Sequence, residues 1–372
     1  MPLPPFEMER WQSLHEHRVD CNLSESGVHP FTLEELEGLT GVDVGDVRLG
    51  YTQTNGTEAL RRRIARLYPG AGADHVLATT GGAEANFLVL WELVEPGDEV
   101  VIVTPTYGQT PGLTRGLGAG VVPVPLREEL GWQPARGSVA EAVGPDTKLV
   151  VVTNPNNPTG VVLSAGARSE ILEATSEAGA WLLSDEVYAG AEVSGEETTT
   201  LWGGHDRVLV TGSLSKAYGL PGLRLGWVAG SGDVIERLWG RKDYTTIAPT
   251  ALSDGLAAAA LEPDVRAEIL GRTRRIVRDN LELLTGWLDA RPGLFTYRPP
   301  DAGAICFLRY GLEIGSSRLA ERLRAERSVL VVPGDQFGMD GYLRIGFGVD
   351  TSELREALVR TADLLGELGA GG

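Results

Sequence analysis

Seven short apolar runs punctuate the first two thirds of the chain: "HVLAT", "DEVVIVTP", "AGVVPVPL", "TKLVVVTNP", "AWLLSDEV", "DRVLVTG" and "LGWVAG". Each is strand-length and rich in β-branched residues, and segments of helix length separate them. Runs that are apolar at consecutive positions belong to strands covered on both faces, the pattern of a mostly parallel sheet with helices on either side. The spacing predicts an α/β unit over residues 45–265. Beyond it, "DVRAEILGRTRRIVRDNLELLTGWLDA" carries the period of a long helix, and "AICFLRY", "VLVVPG" and "YLRIGFG" alternate with further helical stretches. These predict a smaller α+β domain over 266–372, with residues 1–44 contributing to it and covering the site. No internal repeat or low-complexity linker interrupts the pattern.

A length of 372 residues exceeds what one core usually organises, in keeping with two domains. The formal charge of -18 argues against a nucleic-acid or anionic-membrane surface, since either needs a concentrated basic face. No apolar run reaches membrane-spanning length, and "MPLPPFEMERWQSLHEHR" lacks the pattern of a signal peptide. Only Cys21 and Cys306 are present, which speaks against a disulfide framework. A soluble, cytoplasmic protein is the expectation.

In such sheets ligands sit beyond the carboxyl ends of the strands, so the polar residues after each run carry the chemical information. Lysine is rare here: of 33 basic residues other than His, only Lys148, Lys216 and Lys242 are lysines. A guanidinium cannot act as a nucleophilic amine, so each lysine matters. Lys148 precedes a strand and reads as a solvated edge residue, and Lys242 in "RKDYTT" reads as the end of an exposed helix, complementing its dipole. Lys216, in "TGSLSKAYGLPGLRLGW", falls on the ligand side, where it can form a Schiff base if neighbouring cations and partial burial keep its basicity low. On the same edge, Gly81 and Gly82 in "TTGGAEANFLVL" open a helix whose N–H groups suit a phosphate, without the spacing of a dinucleotide or Walker motif. "TNPNNPTG" supplies amides and "SDEVYAG" supplies Asp185 and Tyr188. Taken singly, these are also a strand-to-helix turn, an Asn-capped loop and a helix N-cap. Together, a phosphate cradle, an amide, a carboxylate for a ring nitrogen, a phenol and an amine describe a socket for pyridoxal 5'-phosphate.

These segments resemble the class I/II aminotransferases of fold-type I, over nearly the whole chain. The resemblance implies a large domain with a mostly parallel seven-stranded sheet flanked by helices, plus the smaller α+β domain, and pyridoxal 5'-phosphate with no metal. It implies transfer of an amino group between an L-amino acid and a 2-oxo acid, with Lys216 as Schiff-base lysine and proton shuttle. By the same likeness Ser213, Arg224, Gly82 and Ala83 hold the phosphate, and Tyr107 in "TPTYGQ" stacks on the ring. Asn157 and Tyr188 contact its phenolic oxygen, and Asp185 its nitrogen. Arg344 in "GYLRIGFG" grips the substrate carboxylate, with Asn157 and Gly27 beside the substrate. Tyr51 in "GYTQTNGTEALR" reaches the phosphate of a neighbouring subunit, which implies a homodimer with shared active sites.

Two further stretches, "NLSESGVHPFTLEEL" and "PPDAGAICFLRY", resemble a branch that includes capreomycidine synthase-like cyclases, which act on hydroxylated arginine by elimination and ring closure in specialised metabolism. In that branch a histidine near the N-terminus lies close to substrate, and His29 is the candidate by position; a loop histidine ahead of Pro30 is the plainer reading. Glu9 and Glu25 read as surface charges, with pairing to a cationic substrate tail as the alternative. No second arginine for a distal carboxylate is assignable, which disfavours a dicarboxylate substrate.

Overall fold

The computed structural model describes residues 3–369. In chain order the strands are β1 (Cys21–Asn22), β2 (Val76–Thr79), β3 (Glu99–Thr104), β4 (Gly120–Arg127), β5 (Gln133–Pro134), β6 (Thr147–Thr153), β7 (Trp181–Asp185), β8 (Val208–Ser213) and β9 (Gly226–Ala229), followed by β10 (Phe295–Tyr297), β11 (Ile305–Tyr310), β12 (Val329–Leu330), β13 (Val332–Pro333) and β14 (Tyr342–Gly346). The large sheet has the order β2-β9-β8-β7-β6-β3-β4-β5. It therefore holds eight strands where the sequence led us to expect seven. The extra one, β5, is a two-residue antiparallel edge pairing with Leu126 and Arg127, too short to leave a periodic signature. Six strands run one way, while β5 and β9 run against their neighbours.

Alternation along β3 shows why its run is continuously apolar: Val101 and Val103 enter the core on one face, Val100 and Ile102 the core on the other. The helix Gly82–Leu93 covers the second face through Ala85, Leu88 and Val89, whereas Ala167 and Ile171 of the helix Ala165–Ala178 cover the first. A separate core gathers β11 and β14 with helices Ser316–Arg327 and Thr351–Gly369. Cys21, Leu23 and Val28 of the N-terminal segment pack in it, while Leu36 packs against the large sheet. "VLVVPG" divides in two: Val329 and Leu330 pair with β1, after which the chain crosses to pair Val332 and Pro333 with β14. The 27-residue helix Pro263–Asp289 places Ile269 and Leu270 in the first core and Val277, Leu281, Leu284 and Leu288 in the other.

The sheet determines where the site is. Parallel strands deliver their carboxyl ends to one edge, where Thr153 is paired with Asp185 and Asp185 with Thr211. Antiparallel β9 begins at that same edge, with Gly226 beside both Thr79 and Ser213. The residues ahead of β9, including Arg224, are thus brought to the ends of β2 and β8. Among the described residues no helix is long and apolar enough to cross a membrane.

Candidate active site

A cavity of about 320 Å³ opens at this edge, and it collects Lys216, Asp185, Tyr188, Gly82, Ala83, Tyr107, Asn157, Ser213, Arg224 and Arg344 on its wall. Three other expected residues lie elsewhere. His29 is drawn away: its Nδ1 lies 2.9 Å from the Arg272 guanidinium, which also donates to its carbonyl, and it does not line the cavity. The position expected for it beside the substrate is thus not the one the structure gives it. Gly27 packs behind the site rather than in it; a Cβ there would meet the Ser215 carbonyl at 3.2 Å and Lys216 Cα at 3.5 Å. Tyr51 is 91% exposed and does not line the cavity of its own chain.

At one end the backbone forms a cradle. Gly81 has φ +82° and sits so close to Arg224 that a Cβ would lie 2.5 Å from its Nη2, and a Cβ on Gly226 would lie 2.5 Å from Gly82 N. Arg224 itself adopts the left-handed conformation, φ +48°, sparsely populated by residues other than glycine. No side chain caps the helix Gly82–Leu93, so the first N–H groups remain for an anion, with Ser213 and Arg224 alongside. This end fits the phosphate of pyridoxal 5'-phosphate.

Deeper in, Asp185 is a buried carboxylate at the end of β7. Asn86 Nδ2 donates to its Oδ2 at 2.9 Å, and Asn86 is itself fixed by the Thr211 hydroxyl, which donates to Asn86 Oδ1 at 2.8 Å. Burial pushes the Asp185 carboxyl above its ordinary value, against the pull of the Asn86 bond. Asn86 was not anticipated. Its signal was present in "GGAEANFLVL": a polar side chain one turn into a helix, on the side otherwise given to Ala85, Leu88 and Val89.

At the other end lies Arg344, on β14 and 1% exposed. Its Nη1 donates to Asn157 Oδ1 at 2.9 Å and its Nη2 to the Ser24 carbonyl, while buried Nε has no protein partner. A buried cation with an unused donor suits a substrate carboxylate. Burial lowers its pKa from the usual arginine value.

Lys216 sits between these ends, and its environment corrects an expectation. Its Nζ donates to Glu25 Oε1 at 2.6 Å. Burial alone would lower the amine's pKa, but Glu25 and Tyr188 outweigh it and the group lies above the usual lysine value. The Lys216 charge in turn draws the Glu25 carboxyl down to about 2. Glu25 is therefore a constituent of the site and not a surface charge. The same correction applies to Glu9, which accepts from the Tyr107 hydroxyl at 2.6 Å. Lys242 also departs from its reading: it ends the helix Gly232–Lys242, but is fully buried and donates to the Ile247 carbonyl at 2.8 Å.

The N-terminal segment supplies most of what sequence reasoning missed. Ser24 meets Arg344, Glu25 meets Lys216, Ser26 accepts from the Tyr188 hydroxyl at 2.9 Å, and Gly27 abuts the Lys216 backbone. Preceding it, the helix Glu7–His15 turns Glu9 and Gln12 to the cavity, followed by Glu16. Gln12 anchors this helix by donating to the Ser24 carbonyl at 2.9 Å, and Trp11 Nε1 donates to the Val331 carbonyl at 2.9 Å.

A cradle for phosphate, a buried carboxylate and a central lysine define a pyridoxal 5'-phosphate enzyme, and the chain belongs to the aminotransferase class I and II family, whose model matches residues 33–360. It is similar to capreomycidine synthase of Streptomyces vinaceus, at 35% identity over 98% of this chain and 94% of that protein. Arginine–pyruvate transaminase of Pseudomonas aeruginosa is 30% identical, covering 85% of this chain and 84% of its own. The solved structure of the PLP-dependent cyclase OrfR matches with a TM-score of 0.89 at 30% identity, over 99% of this chain and 98% of that one.

Proposed function

We propose that this enzyme acts on an amino acid with a cationic, arginine-type side chain, and that it removes the Cα proton, expels a side-chain hydroxyl and closes a ring. The observation that carries the substrate class is the charge of the cavity wall: Glu9 and Glu16 line it beside Glu25, which is paired with Lys216, and among the described residues its arginines are Arg224 and Arg344, at the cradle and at the carboxylate end. A distal carboxylate would meet acids; a guanidinium would be matched. The ring-closing step is supported by the similarity to capreomycidine synthase and to a PLP-dependent cyclase. The same reading takes 45–265 as the cofactor-binding domain, 266–372 as the small domain and 1–44 as the cover of the site.

When bound, pyridoxal 5'-phosphate supplies a conjugated ring that accepts the electron pair left at Cα. The chain does the rest. Gly82, Ala83, Ser213 and Arg224 would hold the phosphate, Tyr107 would flank the ring, Asn157 and Tyr188 would serve its phenolic oxygen, and Asp185, oriented by Asn86, would keep a proton on the ring nitrogen. Arg344 fixes the substrate carboxylate and so directs the Cα–H bond to Lys216, whose amine takes the proton. The proton taken from Cα departs with the hydroxyl as water; a guanidino nitrogen then bonds to the carbon that carried the hydroxyl, and the proton it loses goes to Cα, so the net change is the loss of one water. Tyr51, exposed on its own chain, is assigned to the phosphate site of a second copy in a homodimer. Transamination is the second reading, favoured by the similarity to arginine–pyruvate transaminase.

The test is a panel of amino acids that includes arginine and its hydroxylated forms, with mass spectrometry of the products. A product lighter than a hydroxyarginine by one water, and cyclic, is expected. A 2-oxo acid would favour transamination, and preferential turnover of aspartate would overturn the substrate class.

A further inference from the structure

We propose that Glu25 is the counter-ion of the attachment lysine: a positioning residue whose carboxylate fixes the Lys216 nitrogen and holds a proton on it. The inference rests on Lys216 as the lysine that binds the cofactor, but not on which substrate follows.

The geometry is tightly determined. Glu25 Oε1 is 2.6 Å from Lys216 Nζ and accepts as well from the backbone N–H of Ser26 at 2.9 Å and of Gly27 at 3.2 Å. The carboxylate is thus fixed by its own turn and not held by the lysine alone. The turn is fixed in its place: Leu23 N donates to the Leu330 carbonyl at 2.8 Å, Gly346 N donates to the Leu23 carbonyl at 2.7 Å, and a Cβ on Gly348 would lie 2.1 Å from the Gly27 carbonyl oxygen. No side chain beyond hydrogen fits at Gly348, so the strand end and the turn stay in register. Glu25 therefore faces Lys216 from a rigid support across 191 residues of sequence.

The other charged and titratable groups around the amine do not duplicate this role. Tyr188, from the loop after β7, donates its hydroxyl to Ser26. Asp185, beneath it, is occupied by Asn86. Arg344, from β14, is a like charge that disfavours an ammonium. Glu25 is the one carboxylate in direct contact with Nζ among the described residues. An ammonium neutralised in this way is a weaker acid, and its conjugate amine a stronger base, than an isolated lysine. The contact thus keeps the nitrogen charged, and that proton must leave it before the amine can accept another.

The experiment compares wild type, Glu25→Gln and Glu25→Asp as holoenzymes, following the absorption of the bound cofactor against pH, which reports whether the Lys216 nitrogen carries a proton. An opposite charge in contact shifts such a midpoint by about 1–3 units, so Glu25→Gln should lower it by at least about one unit, with Glu25→Asp restoring most of the difference. In parallel, the full chain freed of cofactor is methylated with labelled formaldehyde and its three lysine signals are titrated by NMR, Lys216→Arg assigning the relevant one. That midpoint should fall likewise in Glu25→Gln. Midpoints unchanged in both measurements would overturn the role of Glu25, since a purely structural residue would leave them in place. Borohydride reduction and peptide mapping that placed the cofactor on Lys148 or Lys242 would instead remove the assignment of Lys216, an outcome independent of the substrate panel.

Discussion

Asn86→Ala tests the buried end of the site most directly. Asn86 holds two groups at once, donating to the Asp185 carboxylate at 2.9 Å and accepting from the Thr211 hydroxyl at 2.8 Å. A hydrogen bond to a charged group contributes ~1.5–3 kcal/mol, and a stranded buried hydroxyl costs ~1–3 kcal/mol. Thr211 is fully buried and Asp185 is 9% exposed, so solvent does not replace either bond well. The variant should lose about 3–5 kcal/mol of stability in the cofactor-free chain near neutral pH. The loss has a defined pH dependence. Asp185 already has a folded value raised above its ordinary 3.8, so its burial costs nothing below that value and progressively more as pH rises toward the folded value. Removing Asn86 withdraws a hydrogen bond that favours the charged form and raises the folded value further. Urea unfolding followed by tryptophan fluorescence should therefore show a larger loss at about pH 8 than at about pH 4, where mainly the Thr211 share remains. Thr211→Val, which strands only one acceptor and leaves Asp185 bonded, serves as the comparison with a loss independent of pH. A loss below about 1 kcal/mol at pH 8, or equal losses at the two pH values, would refute the assignment of Asn86 as the group that sustains the buried charge.

Two further outcomes follow from the same geometry. Gly81→Ala places a methyl group 2.5 Å from the Arg224 guanidinium on a backbone with φ +82°, and the ~1–3 kcal/mol of strain should weaken cofactor binding about tenfold to a hundredfold in equilibrium dialysis, with the sheet intact by circular dichroism. His29→Asn should change turnover less than about twofold while lowering stability by ~1 kcal/mol, because His29 acts on Arg272, whose guanidinium also lies 4.1 Å from the Phe31 ring; abolished turnover in a folded variant would restore His29 to the chemistry.

Which parts of this arrangement could be read from the sequence follows from how each was encoded. Six of the seven longer strands are visible because both of their faces are buried, while β4, exposed at Pro123 and Pro125, shows through its β-branched residues; the ligand edge follows from their direction. Four residues of the cavity wall lie within a few positions of a strand end, so a local motif captures Asp185, Tyr188, Ser213 and Lys216. Contacts made across the fold leave no such mark. Glu25 lies 191 positions from Lys216 and Glu9 lies 98 from Tyr107, and in their local context both glutamates read as surface charges. A glutamate in a short amphipathic helix looks like a solvated face until the partner tyrosine is placed beneath it. The position of His29 was hidden for the converse reason: its segment does approach the site, but Arg272, 243 positions away, takes its ring. The doubled strand at 329–333 was invisible because a change of partner at Val331 does not interrupt hydrophobicity.

The long helix Pro263–Asp289 has a mechanical meaning. At 1.5 Å per residue it is a strut of about 40 Å. One turn near its centre is clamped from two sides, since Arg272 donates to the His29 carbonyl at 3.1 Å and Arg274 to the Gly190 carbonyl at 3.0 Å. The N-terminal segment, the loop beyond β7 and both cores thus bear on the same few residues of one helix, next to Gly271, which brings no side chain of its own to that turn.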